Sequence, residues 1–104
     1  MKISKCVSVL MFKGWTSIST SGLISYKAPF VFRRDFQPNF STKWMDKDVS
    51  LALESGQELG VPLLLTGLTR QLFQTAIAAG HADEDMCSTI KVLEDIAGVE
   101  VKSS

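Results

Sequence analysis

The stretch STKWMDKDVSLALE, residues 41–54, decides how the rest of the chain is read. Stepped at about 100° per residue, it forms an amphipathic helix. Met45, Trp44, Val49, Leu51, Ala52 and Leu53 fall on one broad apolar arc, while Lys43, Asp46, Ser50, Glu54 and Gln57 fall opposite. Asp48 breaks the pattern. It stands inside the apolar arc, one turn after Trp44 and one turn before Leu51 and Ala52, with Lys47 at the arc's edge. If the arc is buried, its carboxylate must be paired or hydrogen-bonded. Two readings follow. In the first, Asp48 is at least half buried and ties down a loop. Its donors then come from the segment before Ser41 or from the helix after Pro62, and Lys47 snorkels to solvent. In the second, the face looks into a cleft, where Asp48 fixes a bound group and Lys47 places a cation at the rim.

The helix extends outward from this stretch in both directions. Ser41 has the side chain of an N-cap, and Gly60 suits the position just past the last turn, so the helix is expected over 42–59. VPLLLTGLTRQLFQTAIAAG follows, with Pro62 near its start and Gly80 past its end. Leu64, Leu65, Leu68, Leu72, Phe73, Ala76, Ile77 and Ala79 cover more than half of its circumference, which predicts a helix over 62–80 as the most buried element. ADED supplies an acidic start for a last helix over 84–97, ended by Gly98. Upstream, residues 4–13 read as a helix closed by Gly14, and 16–22 as a loop or short turn. YKAPFVFRRDFQPNF, residues 26–40, holds two prolines and four phenylalanines and reads as extended or irregular chain pinned by aromatics.

These elements give an all-α fold and one small domain in 104 residues. Eleven basic side chains balance eleven acidic ones, so no charge excess directs the chain to nucleic acid or to an anionic membrane surface. No apolar run approaches the roughly 18 residues of a membrane span. The opening MKISKCVSVLMF lacks the clean apolar core and small-residue cleavage site of a signal peptide. Cys6 and Cys87 are far apart, match no metal spacing, and read as reduced thiols of a cytoplasmic protein. There is no glycine-rich dinucleotide fingerprint, no phosphate loop, no nucleophile elbow and no metal-ligand spacing. His81, the one histidine, follows a helix-ending glycine and reads as a turn residue, and Arg33 with Arg34 reads as a solvated pair.

Taken in order, several short motifs resemble the C-terminal helical domain of the β-hydroxyacid dehydrogenases, the 3-hydroxyisobutyrate dehydrogenase type within the 6-phosphogluconate dehydrogenase-like enzymes. They are Asp35-Phe36, Phe40, Lys47-Asp48, Val49-Ser50-Leu51-Ala52, Gly60-Val61-Pro62-Leu63, the run Gly80 to Asp85, and Leu93-Glu94. The resemblance covers about residues 32–101, with AGHADEDMCSTIKVLEDIAG closest in pattern to the L-threonate dehydrogenase branch. It implies a helical domain over 26–104, with 1–25 poorly matched. It also implies NAD or NADP as cofactor and a small hydroxyacid as substrate. By resemblance Lys47 contacts the cofactor, and Phe40 and Asp48 lie on the substrate side. The family's first domain carries the glycine fingerprint, and its catalytic lysine sits in a glycine-bracketed helix; neither pattern is present here, and Lys5 and Lys13 inherit nothing. The expectation is therefore a detached part of a dehydrogenase with no catalytic residue and no metal, inactive without a dinucleotide-binding half. The alternative is a non-catalytic module that forms a homodimer or pairs with a full-length relative.

Overall fold

A computed structural model describes residues 22–102. The expected helix over 4–13, most of the segment 16–22, and Lys5, Lys13 and Cys6 lie outside the described residues. The described residues are helical, with no strand among them: α1 (Gly22–Phe32), α2 (Thr42–Leu59), α3 (Leu64–Ala78), a short 3-10 turn (Met86–Thr89) and α4 (Ile90–Ala97). The all-α expectation holds. The chain divides into two units, one of residues 1–36 with 93–104 and the other of residues 37–92.

In the first unit, α1 corrects the extended or irregular reading of residues 26–40 as far as Phe32; residues 33–40 are non-helical, as expected. Pro29 lies inside this helix. It removes one backbone donor, a cost that a packed helix near its end tolerates when side chains reinforce it. Tyr26 and Phe30, one turn apart, pack with centroids 5.2 Å apart. The Arg33 guanidinium sits 4.8 Å from the Phe30 centroid. Ala28 and Val31 are buried on the other side of the helix. The helix closes at Arg34, whose φ of 58° is left-handed, with Asp35 N–H donating back to the Phe30 carbonyl at 2.9 Å. A side chain in that conformation costs about 1 kcal/mol or more, and the guanidinium offsets it. Arg34 pairs with the buried Glu94 carboxylate, donates to the Val101 carbonyl at 3.1 Å and lies 5.2 Å from the Phe36 ring. Glu94 also accepts the Val101 N–H. Arg34 is therefore an internal ion-pair partner, not half of a solvated pair.

In the second unit, α2 and α3 form a helical hairpin. The expected bounds of α2 are met. Gly60, at φ 70°, lets Val61 N–H donate to the Gly56 carbonyl at 2.8 Å, a Schellman closure that a β-carbon would strain. Gly80 and Gly98 end α3 and α4 in the same way. The middle helix differs from expectation. It starts at Leu64, two residues past Pro62, and only Phe73 and Ala76 are buried along it. Leu64, Leu65 and Leu68 are 83%, 80% and 62% exposed, so the first half of its apolar stripe faces outward. The last expected helix is also broken in two, because Asp85 caps a 3-10 turn before α4 begins.

The hairpin closes tightly at Gly56, which is buried. A β-carbon there would lie 2.7 Å from Leu63 Cδ1 and 3.0 Å from the Val61 carbonyl oxygen. Leu63 can rotate away, but Val61 is held by its bond to the Gly56 carbonyl. Gly56→Ala is therefore expected to destabilise by about 1–2 kcal/mol, despite alanine's better helix propensity. That lowers the thermal midpoint by roughly 4–8 °C per kcal/mol in a domain of this size. A raised midpoint would contradict this packing.

Candidate functional site

The helix α2 presents two different sides. Its inner side is set by Met45, Val49, Leu53 and the buried Gly56, which are at least partly covered. Asp46 belongs to this side, not to the polar face that the wheel gave it. Its carboxylate stands 3.6 Å from Arg70 Nε of α3, an ion pair between the packed helices. Trp44, Lys47, Asp48, Leu51 and Ala52 are all exposed. Apart from Asp46, the polar residues lie where the wheel put them, but only half of the apolar arc is covered, and Asp48 lies in the other half. Asp48 is not the buried carboxylate expected from the sequence. No described residue donates to it.

The buried carboxylate is Asp85, 3% exposed. Its Oδ1 accepts the backbone N–H of Asn39 at 3.1 Å and of Phe40 at 3.3 Å. Its Oδ2 accepts the N–H of Cys87 at 3.0 Å. This is the role the sequence suggested for Asp48, a carboxylate tying down the segment before Ser41, performed by a residue 37 positions further along. The backbone repeats the join: Ser41 and Asp85 face each other in an antiparallel bridge, with Thr42 N–H donating to the Glu84 carbonyl and Met86 N–H to the Phe40 carbonyl. Thr42 is fully buried. Its hydroxyl lies 3.1 Å from the carbonyl oxygens of Glu84 and Asp85 and 3.1 Å from Ser88 Oγ. The first two amides of α2, those of Thr42 and Lys43, are thus satisfied by the carbonyls of Glu84 and Ala82. Ser41 occupies the N-cap position without capping by its side chain, and its buried Oγ has no hydrogen-bond partner among the described residues.

The staple places Phe40 in the wall of an open cleft of about 440 Å³, lined also by Pro38, Asn39, Ser41, Lys43, Trp44 and Asp83. Phe40 is 39% and Trp44 52% exposed. Lys43 and Asp83 pair across its edge at 2.7 Å, both well exposed. Lys47, one turn on, holds its ammonium 5.2 Å from the Trp44 ring centroid and makes no ion pair with a described residue. Phe40, Trp44, Lys47, Asp48 and Leu51 therefore form one exposed stripe running from the loop onto α2. Phe40, Lys47 and Asp48, the candidate residues by resemblance, are all exposed here, and so is Trp44, which the helical wheel assigned to the core. No described group of His, Cys, Asp and Glu could hold a metal ion.

A family model described as NAD-binding of NADP-dependent 3-hydroxyisobutyrate dehydrogenase matches residues 8–93. The chain belongs to this family. It is 42% identical over 72 residues to 2-(hydroxymethyl)glutarate dehydrogenase of Eubacterium barkeri, covering 69% of this chain and 24% of that protein. It is 28% identical over 80 residues to L-threonate dehydrogenase of Cupriavidus necator, covering 77% and 27%. It is 29% identical over 79 residues to 2-hydroxy-3-oxopropionate reductase of Escherichia coli K12, covering 76% and 27%. The chain spans about a quarter of the length of these relatives. No described helix is long and apolar enough to cross a membrane.

His81 contacts Glu84 and is not a free turn residue. Its Nδ1 lies 3.0 Å from Glu84 Oε2, and Lys91 Nζ lies 2.8 Å from the same oxygen. Burial by itself raises the Glu84 pKa. The hydrogen bond and charge of Lys91, with those of His81, outweigh burial and hold the carboxyl below its ordinary value. A depressed folded pKa contributes stability that is present above the unfolded value, about 4.3, and lost as pH falls through the folded one. Glu84→Gln is therefore expected to flatten the melting temperature below about pH 5. An acid limb as steep as the parent's would show that Glu84 carries none of it.

Proposed function

We propose that this chain supplies the helical side of a nicotinamide-dependent 3-hydroxyacid dehydrogenase site, and that the exposed stripe of α2 is the face it presents. The observation that carries this reading is the exposed Lys47 ammonium, without an ion pair among the described residues and held against the exposed Trp44 ring that lines the cleft with Phe40. A free ammonium keeps donors for an amide, hydroxyl or phosphate oxygen, and the residues present fit a nicotinamide cofactor. That cofactor, when bound, supplies the hydride chemistry. The protein's own part is to bind and orient. Lys47 donates to a cofactor oxygen, Phe40 forms part of the cleft wall and sheds water from it, and Asp48 accepts hydrogen bonds from a hydroxyacid. The family match and the relatives, each a dehydrogenase or reductase by name, support the class of chemistry. NAD and NADP stand as equal candidates.

A second reading has its own observation. Leu59, Val61, Leu64, Leu65 and Leu68, around the α2–α3 turn, are each at least half exposed. Such a patch favours association, and a non-catalytic module that forms a homodimer or caps a full-length relative would use it. The readings separate at Lys47, which only the first requires.

The purified chain is expected to show no turnover with NAD or NADP and L-threonate or 3-hydroxyisobutyrate, since no residue here matches the family's catalytic lysine or its glycine fingerprint. Turnover above a contaminant-controlled background would contradict the incomplete-site reading. Joined behind a relative's dinucleotide-binding domain, the chain is expected to restore activity. Lys47→Ala in that fusion should weaken cofactor binding by about 10- to 100-fold, the loss of a charged hydrogen bond. Asp48→Asn should raise KM for the hydroxyacid with the cofactor's KM unchanged. Cofactor binding indifferent to Lys47→Ala would contradict the reading.

A further inference from the structure

The position of the Lys47 ammonium needs an explanation of its own. An exposed lysine on a helix has many rotamers, and a carboxylate usually selects among them. The nearby carboxylates do not serve here. Asp46 pairs with Arg70 on the inner side of α2, Asp83 pairs with Lys43, and Asp48 makes no ion pair with Lys47. The remaining partner is the Trp44 ring, three residues back on the same face, at 5.2 Å from Nζ to the centroid. Trp44 also lines the cleft beside Phe40. One half-exposed indole thus forms part of the cleft wall and holds the cation next to it.

We propose that Trp44 is a positioning residue for Lys47: its ring keeps the ammonium beside the Phe40–Trp44 cleft, ready for an oxygen on a flat heteroaromatic ligand lying against that wall. The inference rests on the reading of Lys47 as the ligand-facing cation. The physical advantage of a ring over a carboxylate is selectivity in what it consumes. A carboxylate neutralises the ammonium and takes its donors. An aromatic face attracts the charge through its quadrupole and leaves N–H donors pointing away from the ring. At an exposed site this attraction biases the rotamer population by about two- to five-fold, enough to raise the fraction of chains poised to bind by a similar factor. An indole kept at the surface only to pack would show no such dependence on its ring.

The test uses the full 104-residue chain, isotope-labelled at lysine. The Lys47 methylene protons are expected to carry an upfield ring-current shift that Trp44→Leu abolishes and Trp44→Phe largely keeps. Unchanged melts of both variants establish that each is folded, and the Phe variant decides the matter if the Leu variant is not. In the fusion behind a relative's dinucleotide-binding domain, titration with NADH is expected to move the Lys47 signal, with a Kd raised about two- to five-fold in Trp44→Leu and changed by less than about two-fold in Trp44→Phe. A Lys47 signal indifferent to Trp44→Leu overturns the proposal. Affinity weakened by Lys47→Ala but untouched by Trp44→Leu overturns the positioning role while Lys47 keeps its own. NADH that leaves the Lys47 signal unmoved, or binds Lys47→Ala as well as the parent, overturns the reading of Lys47 and this inference with it.

Discussion

Three backbone amides, those of Asn39, Phe40 and Cys87, converge on the buried carboxylate of Asp85. The rest of the 37–92 unit depends on this join. Charge-assisted hydrogen bonds are about twice as strong as neutral ones, and these three fix the segment before α2 against the loop after α3. With that loop in place, the carbonyls of Ala82 and Glu84 meet the first amides of α2, so the helix needs no side-chain cap from Ser41. The sequence distance between the joined segments explains why the contact must be strong. Closing a long loop costs entropy that a single neutral bond repays poorly.

The staple also determines what α2 shows to the outside. It fixes Phe40 at the start of the stripe, and the helix then places Trp44, Lys47, Asp48 and Leu51 at successive turns on the same side. The inner face is spent on Val49, Leu53, Gly56 and the Asp46–Arg70 pair. The helix is thus apolar on a wider arc than its hairpin partner covers, and the surplus is exposed aromatic and aliphatic surface with one cation that has no ion pair among the described residues. That surplus is why we read α2 as the ligand-facing element and not as a core helix alone.

Much of this was legible from local patterns. The bounds of α2 followed from Ser41 and Gly60, and the helix ends at Gly80 and Gly98 from the left-handed closure that glycine permits. Phe40, Lys47 and Asp48 were singled out by resemblance, and all three are exposed. What failed was whatever depended on a partner far along the chain. A helical wheel gives the direction of a side chain but not which half of an apolar arc is covered, so Asp48, Trp44 and Leu64 were assigned to the interior. Asp85 was read as an acidic helix start, although an Asp two residues before an amide it can cap is itself a local signal. The Arg34–Glu94 pair spans 60 residues and has no local signature. Helix α1 was missed because Pro29 outweighed the Tyr26–Phe30 pair, whose one-turn spacing was the clue.

Amide hydrogen exchange on the intact chain tests the staple most directly. Strong protection is expected at Asn39, Phe40 and Cys87, lost together in Asp85→Ala and retained in Asp48→Ala. Protection at these three amides that survives Asp85→Ala, or that Asp48→Ala removes, would contradict it.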